Sequence, residues 1–371
     1  MTMGTCPAGG GALAQLTAEG VALWLDDWHR GRAAGGGLGR LVEAGLVRGA
    51  VSRPAAVVRA LADGTAYRGQ LEDLQRSGVP AEERAYALIA EDARAACAAL
   101  EPVFRSTRGM HGWVSVGLAP RLASDAGATV GHALRLARTV GRPNLLVRVP
   151  AAGRGMAAAG DLLARGVGVH LTSVFSVRRY AEAVDVYFRG LERAAATGAP
   201  HSAVTSLVSV DVGHLDAGVD ALLDASGDPF AAGLRGTAGT ATAQLLYRRY
   251  EESLGCPQWR TLAAGGALPQ RLLWTSEHTP EEPRAALDRV ERLIAWMTLH
   301  ALPEGALGAL ERRSGFHGDT VSGRHGPACR VLDGLERTGV LLDSVARHLE
   351  QAALDRELAA WEALLSAVGT R

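Results

Sequence analysis

Lysine is absent from the 371-residue chain, and all 39 of its Lys+Arg positions are arginine. No side chain can therefore offer an ε-amine to a carbonyl compound, because a guanidinium stays protonated and cannot act as the nucleophile. Net charge is missing too, since 39 acidic residues balance the arginines. Nothing in that balance points to a nucleic-acid or membrane-surface partner. No run of about 20 uninterrupted apolar residues occurs, which argues against a membrane span. The four cysteines, Cys6, Cys97, Cys256 and Cys329, lie far apart and form no C-x-x-C pair. That argues against a disulfide framework and a structural zinc site, and it fits a reducing cytoplasm.

What is present is a chain with 47% hydrophobic content, rich in alanine and glycine, long enough for one large α/β domain or two small ones. Residues 1–18, with Gly9-Gly10-Gly11 and no basic segment ahead of a long apolar run, do not resemble a signal peptide and read as a flexible lead-in. Beyond them, short β-branched or apolar runs alternate with longer Ala/Leu/Arg/Glu segments of helical period. Strands are expected at Val21 to Leu25, Gly49 to Val51, Trp113 to Val116, Leu145 to Val149, Val167 to Leu171, Ser206 to Val210 and Leu272 to Trp274, with an eighth near Ala295 to Leu299. Helices are expected at Ala81 to Leu100, Gly131 to Val140, Val177 to Thr197 and Ala238 to Ser253, and amphipathic helices over Val331 to Val368 should pack outside the sheet. Eight βα units predict one closed (β/α)₈ barrel of the TIM type over residues 19–371, with extra C-terminal helices. An open doubly wound sheet would need a phosphate-binding glycine loop directly after the first strand. Gly35-Gly36-Gly37-Leu38-Gly39 comes about ten residues too late.

In such a barrel the chemistry sits at the C-terminal ends of the strands. The residues there are Asp26, Arg53, Gly117, Arg148, His170 with Thr172, Ser209 with Asp211, and Glu277 with His278. This set is too polar for a barrel core. His170, His278, Asp26 and Asp211 are metal-ligand types, but no H-x-H or H-E-x-x-H spacing accompanies them, so no metal is expected. Ser209 lacks a G-x-S-x-G elbow and reads as a hydrogen-bonding group. Trp28 follows the first strand and reads either as core or as a cap over the mouth.

Six motifs in order resemble the transaldolase family, in particular its long actinobacterial-type members. They are Val21 to Asp27, Arg142 to Pro150, Val169 to Ser176, Gly236 to Gly239, Leu273 to Ser276 and His317 to Gly323. The resemblance runs from about residue 18 to residue 365. It implies a class I aldolase barrel in which a fourth-strand lysine forms an imine with a ketose phosphate and carboxylates move protons. By that resemblance Asp26 matches the first-strand proton-transfer aspartate, and Thr172 and Ser209 match the fifth- and sixth-strand hydroxyls. The other positions differ. Arg148 stands where the resemblance puts the lysine, Arg53 where it puts a substrate-orienting asparagine, and Gly117 where it puts a carboxylate. His170 replaces an asparagine, and His214 replaces a phosphate-gripping arginine.

Two readings follow. In one, Arg53, Arg148 and His170 are drift in a degenerate, noncatalytic paralogue that binds a ligand or serves as a scaffold. In the other the site is rebuilt, with Asp26 and His170 moving protons and Arg148 stabilising negative charge. Arg53, Thr172, Ser209, Asp211, Glu277, His278, His214 and Trp28 would then contact a small polyhydroxylated or anionic substrate. Asp26, Asp211 or Glu277 could instead neutralise the two arginines inside the protein. The expected activity is noncovalent acid/base catalysis of lyase, isomerase, cyclase or transferase type in specialised metabolism, and a sugar-phosphate enzyme with altered phosphate grip is a further alternative. The expected partner is a small molecule, with a homodimer allowed for and no cofactor.

Overall fold

A computed structural model of the chain describes residues 11–35, 37–198, 204–276 and 282–369. Eight apolar runs form parallel strands: β1 (Ala22–Leu25), β2 (Gly49–Ser52), β3 (Trp113–Gly117), β4 (Leu145–Pro150), β5 (Gly168–Thr172), β6 (Ser206–Asp211), β7 (Arg271–Thr275) and β8 (Leu299–Leu302). They pair in chain order, and β8 returns to β1 with Ala22 opposite Leu299 and Leu25 opposite Leu302, closing a (β/α)₈ barrel.

The period-2 geometry of a strand sends alternate side chains to opposite faces. Leu23, Leu25, Val114, Val116, Val147, Val149, Val169, Leu171, Val208 and Val210 belong to the core shared with the helices. Trp24, Val51, Trp113, Leu146, Leu207, Leu273 and Leu299 form a second cluster that fills the barrel interior. The Trp24 indole takes the room that Gly49 leaves, since a Cβ on Gly49 would come within 2.2 Å of the ring. The same alternation carries Gly117, Arg148, His170, Thr172, Ser209 and Asp211 inward above that floor.

Seven strands lie within one residue or so of the expected bounds, whereas the eighth begins where it was expected to end. Residues 295–298 are a turn rather than strand: Met297 has φ 63°, and the Thr298 hydroxyl donates to the Ala295 carbonyl at 2.7 Å. Residues read as lead-in include a helix, Ala12–Ala18, with Ala12 and Leu16 buried. The C-terminal segment forms two helices, His325–Arg337 and Leu342–Gly369. The second does more than cover the outside. It packs against the helices that follow β6 and β2 and against the helix Ala81–Ser106, and so lies across the C-terminal mouth of the barrel.

Beyond the end of β1, a buried charge ties a long helix to two earlier segments of the chain. Asp92, in the middle of Ala81–Ser106 and 0% exposed, accepts from Arg30 Nε and from the Tyr67 hydroxyl at 2.6 Å. Arg30 also donates to the Leu88 carbonyl at 3.0 Å and lies over the Tyr67 ring, 4.6 Å from its centre.

Two histidines are held neutral inside the protein. His111 sits against Arg271, 3.2 Å from its guanidinium, and burial together with Arg271 and Arg48 pushes it down to about 3. His300, on β8, is pushed down to about 3 by burial and Arg289, with Nε2 3.2 Å from the Leu293 carbonyl oxygen. Both start from an ordinary value of 6.5, so between pH 6.5 and 3 the unfolded chain binds more protons than the folded one. Stability is therefore lost as pH falls through that window, by up to about 1.4 kcal/mol per pH unit for each histidine. His300→Gln should flatten the fall in urea midpoint between pH 6.5 and pH 4.5 by one histidine's share. An unchanged slope would show that His300 is not held neutral.

Candidate active site at the strand ends

Register sets the neighbours in the mouth. Gly117 on β3 lies opposite Arg148 on β4, Arg148 opposite His170 on β5, and Pro150 opposite Thr172. Arg148 Nη1 donates to the Ser52 carbonyl at 3.3 Å. Its Nη2 approaches both carboxylate oxygens of Glu357, at 3.4 and 3.5 Å. Glu357 comes from the C-terminal helix, 209 residues further along the chain. The guanidinium fits because β3 ends in glycine: a Cβ at Gly117 would lie 3.0 Å from Arg148 Nη2, tighter than carbon and nitrogen comfortably allow.

Arg53 leads the chain from β2 into the helix Pro54–Asp63 in the extended conformation imposed by the following proline. Its Nε and Nη2 donate to the two oxygens of Asp26 at 2.9 and 3.3 Å, and Nε lies 3.6 Å from Asp27 Oδ1. This paired geometry suits a planar guanidinium and a carboxylate. Asp27 has φ 57° and Ser173, following Thr172 on β5, has φ 60°. Left-handed backbone at two non-glycine residues beside strand ends costs of order 1–3 kcal/mol each, and such strain gathers at functional sites.

Inside the barrel, His170 Nδ1 and Ser115 Oγ are 2.7 Å apart, a contact made across β3, β4 and β5. At the end of β6, Asp211 caps the helix Val212–Ser226: one oxygen accepts from the His214 backbone N–H at 2.9 Å and the other faces His214 Nδ1 at 2.7 Å. This is an imidazole oriented by a carboxylate. His29, on the loop after β1, is held below the ordinary histidine range by burial and by Arg32 and Arg59.

The structure thus brings Asp26, Arg53, Arg148, His170, Thr172, Ser209, Asp211 and His214 to the same end of the barrel. Thr172, the most exposed among Arg53, Arg148, His170, Thr172, Ser209 and Asp211, shows only 7% of its surface. The mouth is therefore largely covered, with Asp26 and His214 partly exposed. Trp28 lies elsewhere: it is 2% exposed, and its indole N–H donates to the Asp92 carbonyl at 3.4 Å. Glu277 and His278 fall outside the described residues. Among the described residues no three His, Cys, Asp or Glu side chains gather as a metal-binding group, and no helix is long and apolar enough to cross a membrane.

Three features escape the sequence reading. Glu357 sits in a charged helix without any motif around it. Ser115 is visible as a strand serine, but only the strand register places it against His170. The room made by Gly117 is a property of the pair rather than of either residue.

Residues 23–368 match the family described as Transaldolase/Fructose-6-phosphate aldolase. The chain is 37% identical to Transaldolase 1 of Streptomyces avermitilis over 358 residues, covering 96% of this chain and 95% of that protein. It is 38% identical to the Transaldolase of Acidothermus cellulolyticus over 356 residues, covering 96% and 95%. With the Transaldolase of Thermobifida fusca the identity is 38% over 359 residues, covering 97% and 98%.

Proposed function

We propose a function from one premise: this chain belongs to the transaldolase/fructose-6-phosphate aldolase family. The reading is an enzyme that acts on a small polyhydroxylated or anionic carbonyl substrate by noncovalent acid/base catalysis, of lyase, isomerase, cyclase or transferase type. One observation carries it. The chain has no lysine, and the resemblance assigns the imine-forming position on β4 to Arg148, whose guanidinium keeps its proton and cannot condense with a carbonyl.

A guanidinium in a water-poor site can instead hold negative charge as it develops on a carbonyl oxygen when a neighbouring carbon loses a proton. Arg148 takes that role. His170, oriented by Ser115, and Asp26, oriented by Arg53, move the protons. His214, oriented by Asp211, is a second imidazole at the same end of the barrel. Thr172 and Ser209 supply hydroxyls for a polyhydroxylated substrate.

A second reading has its own support. Both arginines already have carboxylates from the chain beside them, which suits a noncatalytic ligand-binding or scaffold protein. Incubation in D₂O with sugar phosphates, free sugars, cyclitols, hydroxy acids and aromatic carboxylates separates the two. An acid/base enzyme places deuterium on carbon beside a carbonyl in one of them, and borohydride added during turnover leaves no adduct on any side chain. Exchange confined to fructose 6-phosphate would make the substrate a sugar phosphate. A borohydride-trapped imine would overturn the noncovalent route, and no exchange anywhere would leave the noncatalytic reading.

A further inference from the structure

The C-terminal helix makes two arginine–carboxylate contacts of different quality. Glu350 is gripped by Arg179 through two separate nitrogens, Nε and Nη2, at 2.9 Å each. Seven residues and nearly two turns later, Glu357 meets Arg148 through Nη2 alone, at 3.4 and 3.5 Å. Glu350 is 7% exposed, whereas the Glu357 side chain shows 22%. Trp361 and Leu364 are buried beyond Glu357. The helix is thus fixed on both sides of Glu357, while the Glu357 carboxylate makes the longer contact and is partly open to solvent.

This loose pair lines a cavity of about 30 Å³ together with Gly117, Pro150, Thr172, Ser173 and Leu354, room for about one water, so a larger ligand enters only where the Glu357 carboxylate gives way. It offers one buried guanidinium and two hydroxyl residues, Thr172 and Ser173, surrounded by small or apolar groups.

We propose that this cavity is a carboxylate-binding subsite in which Glu357 is a tethered occupant, and that a small hydroxycarboxylate binds by displacing Glu357 from Arg148. The inference deepens the proposed function and rests on its reading of Arg148 as the group that holds negative charge. Charge decides the class of ligand. Arg53 is committed to Asp26 and lies close to Asp27, so a single arginine is left to exchange partners. One guanidinium matches a monoanion, and a phosphate dianion would carry uncompensated charge among Glu357, Asp26 and Asp27. A tethered carboxylate competes with free ligand at an effective concentration set by its attachment, so removing its reach raises apparent affinity by the reciprocal of the fraction of time the site had stood open.

Calorimetric titration of the full chain with D-glycerate, inorganic phosphate and glycerol tests this. Glu357→Gln should tighten D-glycerate about tenfold. Glu357→Asp keeps the charge but shortens the reach, and it should tighten D-glycerate by about threefold or more, which a general loss of negative charge cannot explain. Arg148→Gln should abolish saturable binding, and glycerol should give none with any variant. Unchanged or weaker D-glycerate binding in both Glu357 variants overturns the displacement, and phosphate preferred over D-glycerate by Glu357→Gln overturns the carboxylate class. No binding of either anion by Glu357→Gln overturns the subsite altogether. Tightening without deuterium exchange on any compound would fail the proposed function alone. Exchange with D-glycerate affinity indifferent to Glu357 would fail this inference alone.

Discussion

Asp92→Ala is expected to destabilise the protein by about 3–5 kcal/mol, which for a chain of this length lowers the thermal midpoint by about 4–6 °C. Asp92 is fully buried, and burial pushes its carboxyl up while Arg30 and Tyr67 beside it pull it back down. Alanine would leave the Arg30 guanidinium, with only 17% of its side chain exposed, facing Tyr67 without its counter-charge. The Tyr67 hydroxyl would also lose its acceptor. Breaking one half of a buried pair costs more than the net worth of the pair, because the remaining charge keeps its desolvation penalty. Adding Arg30→Met to Asp92→Ala should therefore recover part of the loss, a nonadditivity that a double-mutant cycle measures directly. If Asp92→Ala melts within 1 °C of the parent, roughly one kcal/mol at most, the clasp contributes little.

Gly155→Ala should be about as damaging, for a steric reason. The chain leaves β4 at Pro150 and enters the helix Gly155–Ala164 almost at once, so a Cβ on Gly155 would lie 1.8 Å from the Pro150 carbonyl oxygen and 3.2 Å from Val149 Cγ1. Neither the backbone oxygen nor the strand can give way cheaply, and the cost is about 3 kcal/mol or more. The same substitution at Gly131 should have the opposite sign. Gly131 is exposed within the helix Ala126–Val140, nothing lies within 4 Å of its Cβ position, and alanine there gains about 0.5–1 kcal/mol from helix propensity. Denaturant midpoints of the two variants, measured together, should fall on either side of the parent. If the Gly155→Ala midpoint does not fall, the close approach at Pro150 is not what requires glycine at 155; if the Gly131→Ala midpoint falls, helix propensity does not govern position 131.

The barrel was readable in the sequence because parallel strands buried on both sides announce themselves as short β-branched runs. Val147 to Val149 and Val208 to Val210 are plain in that sense. The eighth strand differs because Ala295 to Thr298 is a turn at the strand entrance, with Ala295 and Thr298 buried and Trp296 56% exposed, and hydrophobicity alone does not separate an apolar turn from a strand. The strand-borne half of the site followed from the fold, since Asp26, Arg148, His170 and Asp211 each come at the end of a run. The internal partner of Arg53 is legible too, because Asp26 is a carboxylate at the neighbouring strand end. The partner of Arg148 is not. Glu357 is one of several acidic residues in a long helix, and only the path of that helix across the mouth singles it out.

That path also sets an order of events during synthesis. A ribosome delivers the N-terminal strands first, yet β1 cannot complete its pairing until Leu299–Leu302 arrives, and Arg148 has no Glu357 until the helix Leu342–Gly369 is finished. A nascent chain therefore carries an open seam until Leu299–Leu302 emerges and an Arg148 without its carboxylate until Glu357 follows. A message cut short before codon 342 would encode a substrate for proteases or chaperones rather than a shorter enzyme.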